Sequence, residues 1–176
     1  MKTISLWQPW ASLIACGAKR IETRGWSTKY RGPLAIHAAK RPFTVGDAWA
    51  IGPETLGEME KALNLRLPTD LPAGCIVATA TLADCVPVSS FAITTRLSCA
   101  EKLFGDYSAG RFGWILTDVT PLRTPLPWRG MQRLFEIPDE VFSTAGELRK
   151  RTESAQIPPA LLAAMDAAVE AFRVEE

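Results

Sequence analysis

The alternation of apolar and polar positions predicts β-strands in several stretches of the chain. In RGPLAIHAAK, Leu34 and Ile36 fall on one face of an extended segment, and Ala35 and His37 fall on the other. Three later stretches are apolar and rich in β-branched or aromatic residues, namely GCIVATATLADCVPV, GRFGWILTDVTPL and MQRLFEIP. These stretches predict a small sheet, which we expect to be curled into a barrel.

Helical periodicity occurs near the start of the chain, in its middle and at its end. Pro9 suits the first turn of a helix, and Trp10, Leu13 and Ile14 then form a stripe that stops at Gly17. Further helices are predicted within residues 41–73, within 88–110, and in PPALLAAMDAAVEAF near the end. The predicted fold class is therefore α+β: a small β-barrel with flanking helices and a C-terminal helical extension.

A charged segment, GAKRIETRGW, directly follows the first predicted helix. In an extended chain Arg20, Glu22 and Arg24 share one face, whereas Lys19, Ile21 and Thr23 share the other. Charges placed against an apolar helix need a partner, because burying an unpaired charge is costly. We expect this segment to line a cleft that holds a polar ligand.

Composition limits the classes of ligand and site. The formal net charge is +1 at pH 7, so positive charge that attracts nucleic acid must be local. The four cysteines form no CxxC pair and only one histidine accompanies them, so no zinc site is expected. No other metal site and no cofactor is predicted. No signal peptide or membrane span is predicted, which favours a cytoplasmic protein with reduced thiols and no membrane partner.

The order of SLWQPWASLIACG, GAKRIETRGW and YRGPLAIHAAK resembles the ASCH domain family, which is related to the PUA-like barrels. The most specific motifs lie in residues 4–40, and weaker similarity continues to about residue 138. The resemblance implies an ASCH domain over residues 1–138, with a helical insertion at about 41–73. Residues 139–176 would form a helical extension packed on it. It also implies a cleft beside the first helix that receives RNA, DNA or a nucleoside.

The residues that match these motifs suggest how a nucleic-acid ligand would be held. Arginine and lysine bind phosphate oxygens, aromatic faces stack on bases, and a carboxylate accepts from an exocyclic amine. We therefore predict a cleft lined by Lys19, Glu22 and Arg24, with ligand-binding residues Trp10, Arg24, Trp26, Tyr30, Arg31, His37 and Lys40. Trp7 is expected in the core, because its neighbours Ile4 and Leu6 are apolar.

The same family resemblance also suggests two enzymatic hypotheses and one hypothesis of protein interaction. Small ASCH-like amidohydrolases deacylate N4-acetylcytidine with a lysine and a threonine three residues later; here Lys19 matches and Glu22 replaces the threonine. Lys19 and Glu22 would then be catalytic residues that activate a water. A ribonuclease is a second enzymatic possibility, and a protein-interaction module, as in transcription coactivators, is a third alternative.

Binding of an RNA polymer predicts a positive path through Arg20, Lys29, Arg31 and Arg41.

Overall fold

The computed structural model describes residues 1–69 and 71–142 of the chain. Six strands are present: β1 Lys2–Leu6, β2 Ile21–Arg24, β3 Gly32–Ala38, β4 Cys75–Pro87, β5 Phe112–Pro127 and β6 Leu134–Glu136. The helices in these residues are α1 Trp10–Ala15, α2 Val45–Ile51, α3 Pro53–Leu63, α4 Phe91–Thr94 and α5 Cys99–Leu103.

The six strands form one mixed sheet in the order β2-β5-β4-β3-β1-β6. β1 and β3 are parallel, and the other neighbouring strands are antiparallel. Three strands separate β2 from β1 in this order, yet Arg24 of β2 donates from Nη2 to the carbonyl of Ser5 in β1, at 2.8 Å. The sheet is therefore curled into a half-barrel. Register shifts along the β4–β5 pair, between Ile76 and Ala78 for example, are the bulges that bend a sheet in this way.

The core lies inside the curl, where α1 packs against β3, β4 and β5. Ala11 and Ile14 of α1 are completely buried there beside Leu34, Ile36 and Trp114. A second buried cluster joins the other side of α1 to α3 and α5; it includes Leu13, Phe43, Met59, Leu63 and Phe104. The helix that precedes the charged segment is thus enclosed on both sides.

The α+β class with a curled sheet and flanking helices is confirmed. Residues 41–73 contain α2 and α3, and 88–110 contain α4 and α5. The predicted extension over 139–176 lies outside the described residues from position 143 onward. No helix in the described ranges combines the length and apolarity that a membrane span requires.

The expectation that Trp7 lies in the core was wrong, because Trp7 is 58% exposed. Ile4 and Leu6 are buried, as predicted, but side chains alternate along a strand. Trp7 therefore continues the face of Ser5, which is only partly buried. This face borders the cleft described below.

Candidate functional site

Lys19 is the most deeply buried charge of the motif, at 1% exposure. Gly17, with φ of 78°, ends the helical turn, and the backbone N–H of Lys19 then donates to the carbonyl of Leu13. The ammonium donates to the carbonyl of Ile21 at 2.5 Å. It lies 3.8 Å from Oε2 of Glu22 and 3.9 Å from Oε1 of Glu101. Burial lowers the pKa of Lys19, and the two carboxylates oppose that shift.

Glu101 is a partner of the motif that the sequence did not reveal. Its carboxylate accepts from the backbone N–H groups of Arg20, at 2.9 Å, and Ile21, at 3.1 Å. The hydroxyl of Tyr107 also donates to it, and burial together with this carboxylate raises the pKa of Tyr107. Glu101 therefore fastens the beginning of β2 to α5.

A local signal for part of this arrangement is present in the sequence. Ser98 and Glu101 have the spacing of a capping box, and the Ser98 side chain does accept from the N–H of Glu101. The Glu101 side chain, however, turns to β2 instead of returning to the cap. The pattern therefore predicts the helix start but not the contact with Arg20, which lies 81 residues away.

Glu22 and Arg24 form an ion pair on the face of β2 that looks away from the core. Ile21 and Thr23 are buried, whereas Glu22 and Arg24 are partly exposed, so the predicted alternation is confirmed. Nε of Arg24 lies 3.0 Å from Oε1 of Glu22, but among the described residues it makes no hydrogen bond. Nε is buried beside the carboxylate, whereas Glu22 lines the cleft and its two oxygens keep accepting capacity for a ligand.

These two side chains border a cleft of about 390 Å³, here called the tryptophan cleft. Its other walls include the indoles of Trp7, Trp10 and Trp26, and its lining is Ser5, Leu6, Trp7, Trp10, Glu22, Thr23, Arg24, Gly25, Trp26 and Arg111. Trp26 is braced by the buried Trp114, at 4.7 Å between ring centroids and nearly perpendicular to it. A guanidinium, that of Arg41, lies 5.0 Å from the centroid of the Trp7 ring.

Some residues predicted for the site lie elsewhere. Lys19 does not line the tryptophan cleft, although it lies close to Glu22. Arg31 forms an ion pair with Asp84 at 2.7 Å and also donates to backbone carbonyls. Its guanidinium therefore stabilises the pairing of β3 with β4. Tyr30 donates to the carbonyl of Pro33 at 2.5 Å. Neither Tyr30 nor Arg31 lines the cleft.

His37 and Lys40 line a neighbouring cavity of about 940 Å³. His37 is buried, and its Nδ1 lies 3.0 Å from Oγ of Ser5 while Nε2 lies 3.0 Å from the carbonyl of Trp128. A carbonyl only accepts, so the neutral ring carries its proton on Nε2 and the Ser5 hydroxyl donates to Nδ1. His37 thereby joins β1 and β3 to the segment after β5.

Comparisons with known proteins agree with the sequence motifs. The family model of the ASCH domain matches residues 4–125. Activating signal cointegrator 1 of Mus musculus is 36% identical over 152 residues, 81% of this chain and 23% of that protein. The Homo sapiens protein of the same name is 36% identical over 95 residues, 50% of this chain and 15% of that protein. The chain thus spans less than a quarter of either relative.

Two solved structures are more distant. The crystal structure of ASCH from Zymomonas mobilis shares 17% identity, with 84% of this chain and 94% of that chain covered and a TM-score of 0.49. A mutant of the same protein shares 18% identity, with 84% and 96% covered and a TM-score of 0.49. At this low sequence identity, no residue role is transferred from that protein to this chain.

Replacing the buried ammonium should destabilise the protein. Lys19→Met leaves the carboxylates of Glu22 and Glu101 without their shared cation, and we expect a loss of about 3 kcal/mol in the free energy of unfolding. Lys61→Met, at a side chain that is 79% exposed, is the matched control and should change little. Urea denaturation measures both variants, and equal stability of the two would contradict the role given to Lys19.

The imidazole of His37 should titrate at low pH. Burial lowers the pKa of His37, so its midpoint should fall below the ordinary value of about 6.5. The unfolded chain then takes up this proton first, and stability contributed by the neutral ring is lost as pH falls below about 6.5. His37 is the chain's one histidine, so a single imidazole resonance in an NMR titration reports it. A midpoint at or above 6.5 would refute this assignment.

Proposed function

The chain belongs to the ASCH domain family, as the match over residues 4–125 shows, and we propose that its tryptophan cleft binds an unpaired base of RNA or of a nucleotide. The observation that carries the proposal is the Glu22–Arg24 pair at the border of a cleft walled by three indoles. Flat aromatic faces beside polar groups that can read a base edge are what recognition of single-stranded RNA requires.

The three indoles supply the stacking surface. Stacking of a base on an aromatic side chain contributes about 1–3 kcal/mol and does not depend strongly on base identity. Trp26 is braced by Trp114 and Trp7 lies against Arg41, so both rings are supported before a ligand arrives. The cleft volume of about 390 Å³ lies at the lower end of the range of small-molecule pockets, about 300–1,000 Å³.

The Glu22–Arg24 pair supplies the means of reading the base edge. The carboxylate accepts from an exocyclic amine, as it does from N4 of cytosine. Nε of Arg24 is buried beside this carboxylate, at 3.0 Å from Oε1, so the carboxylate of Glu22 is the group left to contact the base edge. Cytosine and adenine both present an amine beside a ring acceptor, whereas uracil does not. We therefore propose a preference for cytosine or adenine over uracil.

Binding is proposed ahead of hydrolysis because of the place of Lys19. A catalytic lysine must reach the reacting atoms, but Lys19 is 1% exposed and its ammonium donates to the Ile21 carbonyl. The hydroxyl of Thr23 is also engaged, since it accepts from the N–H of Asp106. Catalysis by Lys19 and Glu22, in an amidohydrolase or a ribonuclease, stays a prediction. The cytoplasmic location and the role as a protein-interaction module also stay predictions.

Trp7→Ala should weaken binding of cytidine monophosphate and short RNA by about five- to 150-fold, which corresponds to the stacking free energy. Trp49→Ala is the matched control, because Trp49 is 82% exposed on α2 and lines no part of the cleft. Isothermal titration measures the dissociation constants. Equal losses for the two variants, or none for Trp7→Ala, would contradict stacking in this cleft.

Glu22→Gln should reduce the preference for cytidine over uridine monophosphate. The substitution replaces a carboxylate, which only accepts, with an amide that also donates and therefore suits the O4 carbonyl of uracil as well. A good base contact accounts for about 1–3 kcal/mol of discrimination. Glu54→Gln, at an exposed position of α3, should leave the preference unchanged. The ratio of the two dissociation constants is the readout, and an unchanged ratio in Glu22→Gln would rule out this mode of base reading.

A further inference from the structure

Two further cavities adjoin the tryptophan cleft or each other. A cavity of about 330 Å³ shares Ser5, Trp7, Arg24 and Trp26 with it. This second cavity shares Ser5, Ala39, Met131 and Gln132 with the cavity of about 940 Å³ that contains His37 and Lys40. The three therefore lie side by side around the end of β1, from β2 to residues 128–133, and together they are here called the groove.

Positive charge is concentrated along the groove. Among the described residues that line it, the cations are Arg24, Lys40, Arg111, Arg129 and Arg133, and the one acid is Glu22. The whole chain carries a net charge of only +1. The groove thus supplies the local positive charge that a polyanion requires of a nearly neutral protein.

Lys40, Arg129 and Arg133 are exposed, and within the described part of the chain no acid neutralises them. The path predicted from the sequence ran instead through Arg20, Lys29, Arg31 and Arg41. Two of those cations are already paired, Arg31 with Asp84 and Arg41 with Asp47. Those two guanidinium groups are therefore less available to phosphate than Lys40, Arg129 and Arg133 of the groove.

Contacts with Gly74 and His37 hold the backbone of residues 128–130 in place. The N–H of Trp128 donates to the carbonyl of Gly74 at 3.0 Å, and the carbonyl of Trp128 accepts from His37. Gly130 lies against the same histidine so closely that a Cβ atom there would be 2.5 Å from Cε1 of His37. This anchoring fixes where the segment that carries Arg129 and Arg133 lies before any ligand binds, which reduces the entropy cost of binding.

We propose that the groove binds the sugar–phosphate backbone of the nucleotides that flank the base in the tryptophan cleft. Phosphate oxygens contact Lys40, Arg129 and Arg133, positioning the strand without reading its sequence. The inference rests on the proposed function of the cleft and narrows the ligand class to a single-stranded oligonucleotide. A mononucleotide fills only the tryptophan cleft.

The test compares cytidine monophosphate with a fluorescein-labelled RNA of six cytidines at 50 and 200 mM salt. Three phosphate contacts predict a slope of about −2 for log K against log salt, at about 0.7 per phosphate of a single strand. The double variant Arg129→Gln/Arg133→Gln should reduce the magnitude of that slope by about 1.4 and weaken binding of the hexamer at least tenfold at 50 mM salt. The affinity for cytidine monophosphate should not change.

The matched control is Lys61→Gln/Lys102→Gln, which removes the same charge at two exposed cations outside the groove. Both double variants alter exposed side chains, and a thermal unfolding transition for each checks that it folds. An equal loss in the two double variants overturns the groove proposal, as does a hexamer that binds no more tightly than the mononucleotide. Binding of the hexamer through Arg129 and Arg133 without any binding of the mononucleotide supports the groove and contradicts the cleft. Failure of both ligands contradicts both proposals.

Discussion

The buried ammonium of Lys19 is the interaction on which the site depends. It is held by the carbonyl of Ile21 and lies within 4 Å of the carboxylates of Glu22 and Glu101. Because Glu101 also accepts from two backbone N–H groups at the start of β2, the ammonium and this carboxylate together fix β2 between α1 and α5. The strand can then present Glu22 and Arg24 on one face while Ile21 and Thr23 enter the core. Lys19 thus holds β2 in position without lining the tryptophan cleft itself.

Curling of the sheet turns this local arrangement into a ligand site. β1 and β2 lie far apart in the strand order, but the bond from Arg24 to the Ser5 carbonyl brings them together. The tryptophans from both sides of this junction, Trp7 and Trp26, then face one cleft. Ser5 borders the cleft and both cavities beyond it, so the end of β1 is where the proposed base site and the proposed backbone path join.

Local patterns in the sequence predicted much of this, and contacts between distant segments account for the rest. Alternation in β2 placed Glu22 and Arg24 on one face, and Trp10, predicted as a stacking residue beside the family motifs, lines the same cleft. The contact of Glu101 with Arg20 and that of His37 with Trp128 join residues 81 and 91 positions apart, and no periodicity encodes such contacts. Arg31 was predicted as a ligand residue from its type and neighbourhood, and its pairing with Asp84 depends on the β3–β4 register.

Photo-cross-linking maps the path of a bound strand directly and tests whether the cleft and groove act as one site. A short cytidine-rich RNA that carries one photoreactive pyrimidine is cross-linked to the protein, and the modified peptides are identified by mass spectrometry. The account predicts adducts at Trp7 or Trp26 and, when the photoreactive base is moved along the strand, at Trp128 or Met131, which line the far cavity. Adducts confined to surfaces outside the groove, such as the exposed Trp49 and Phe91, would contradict it.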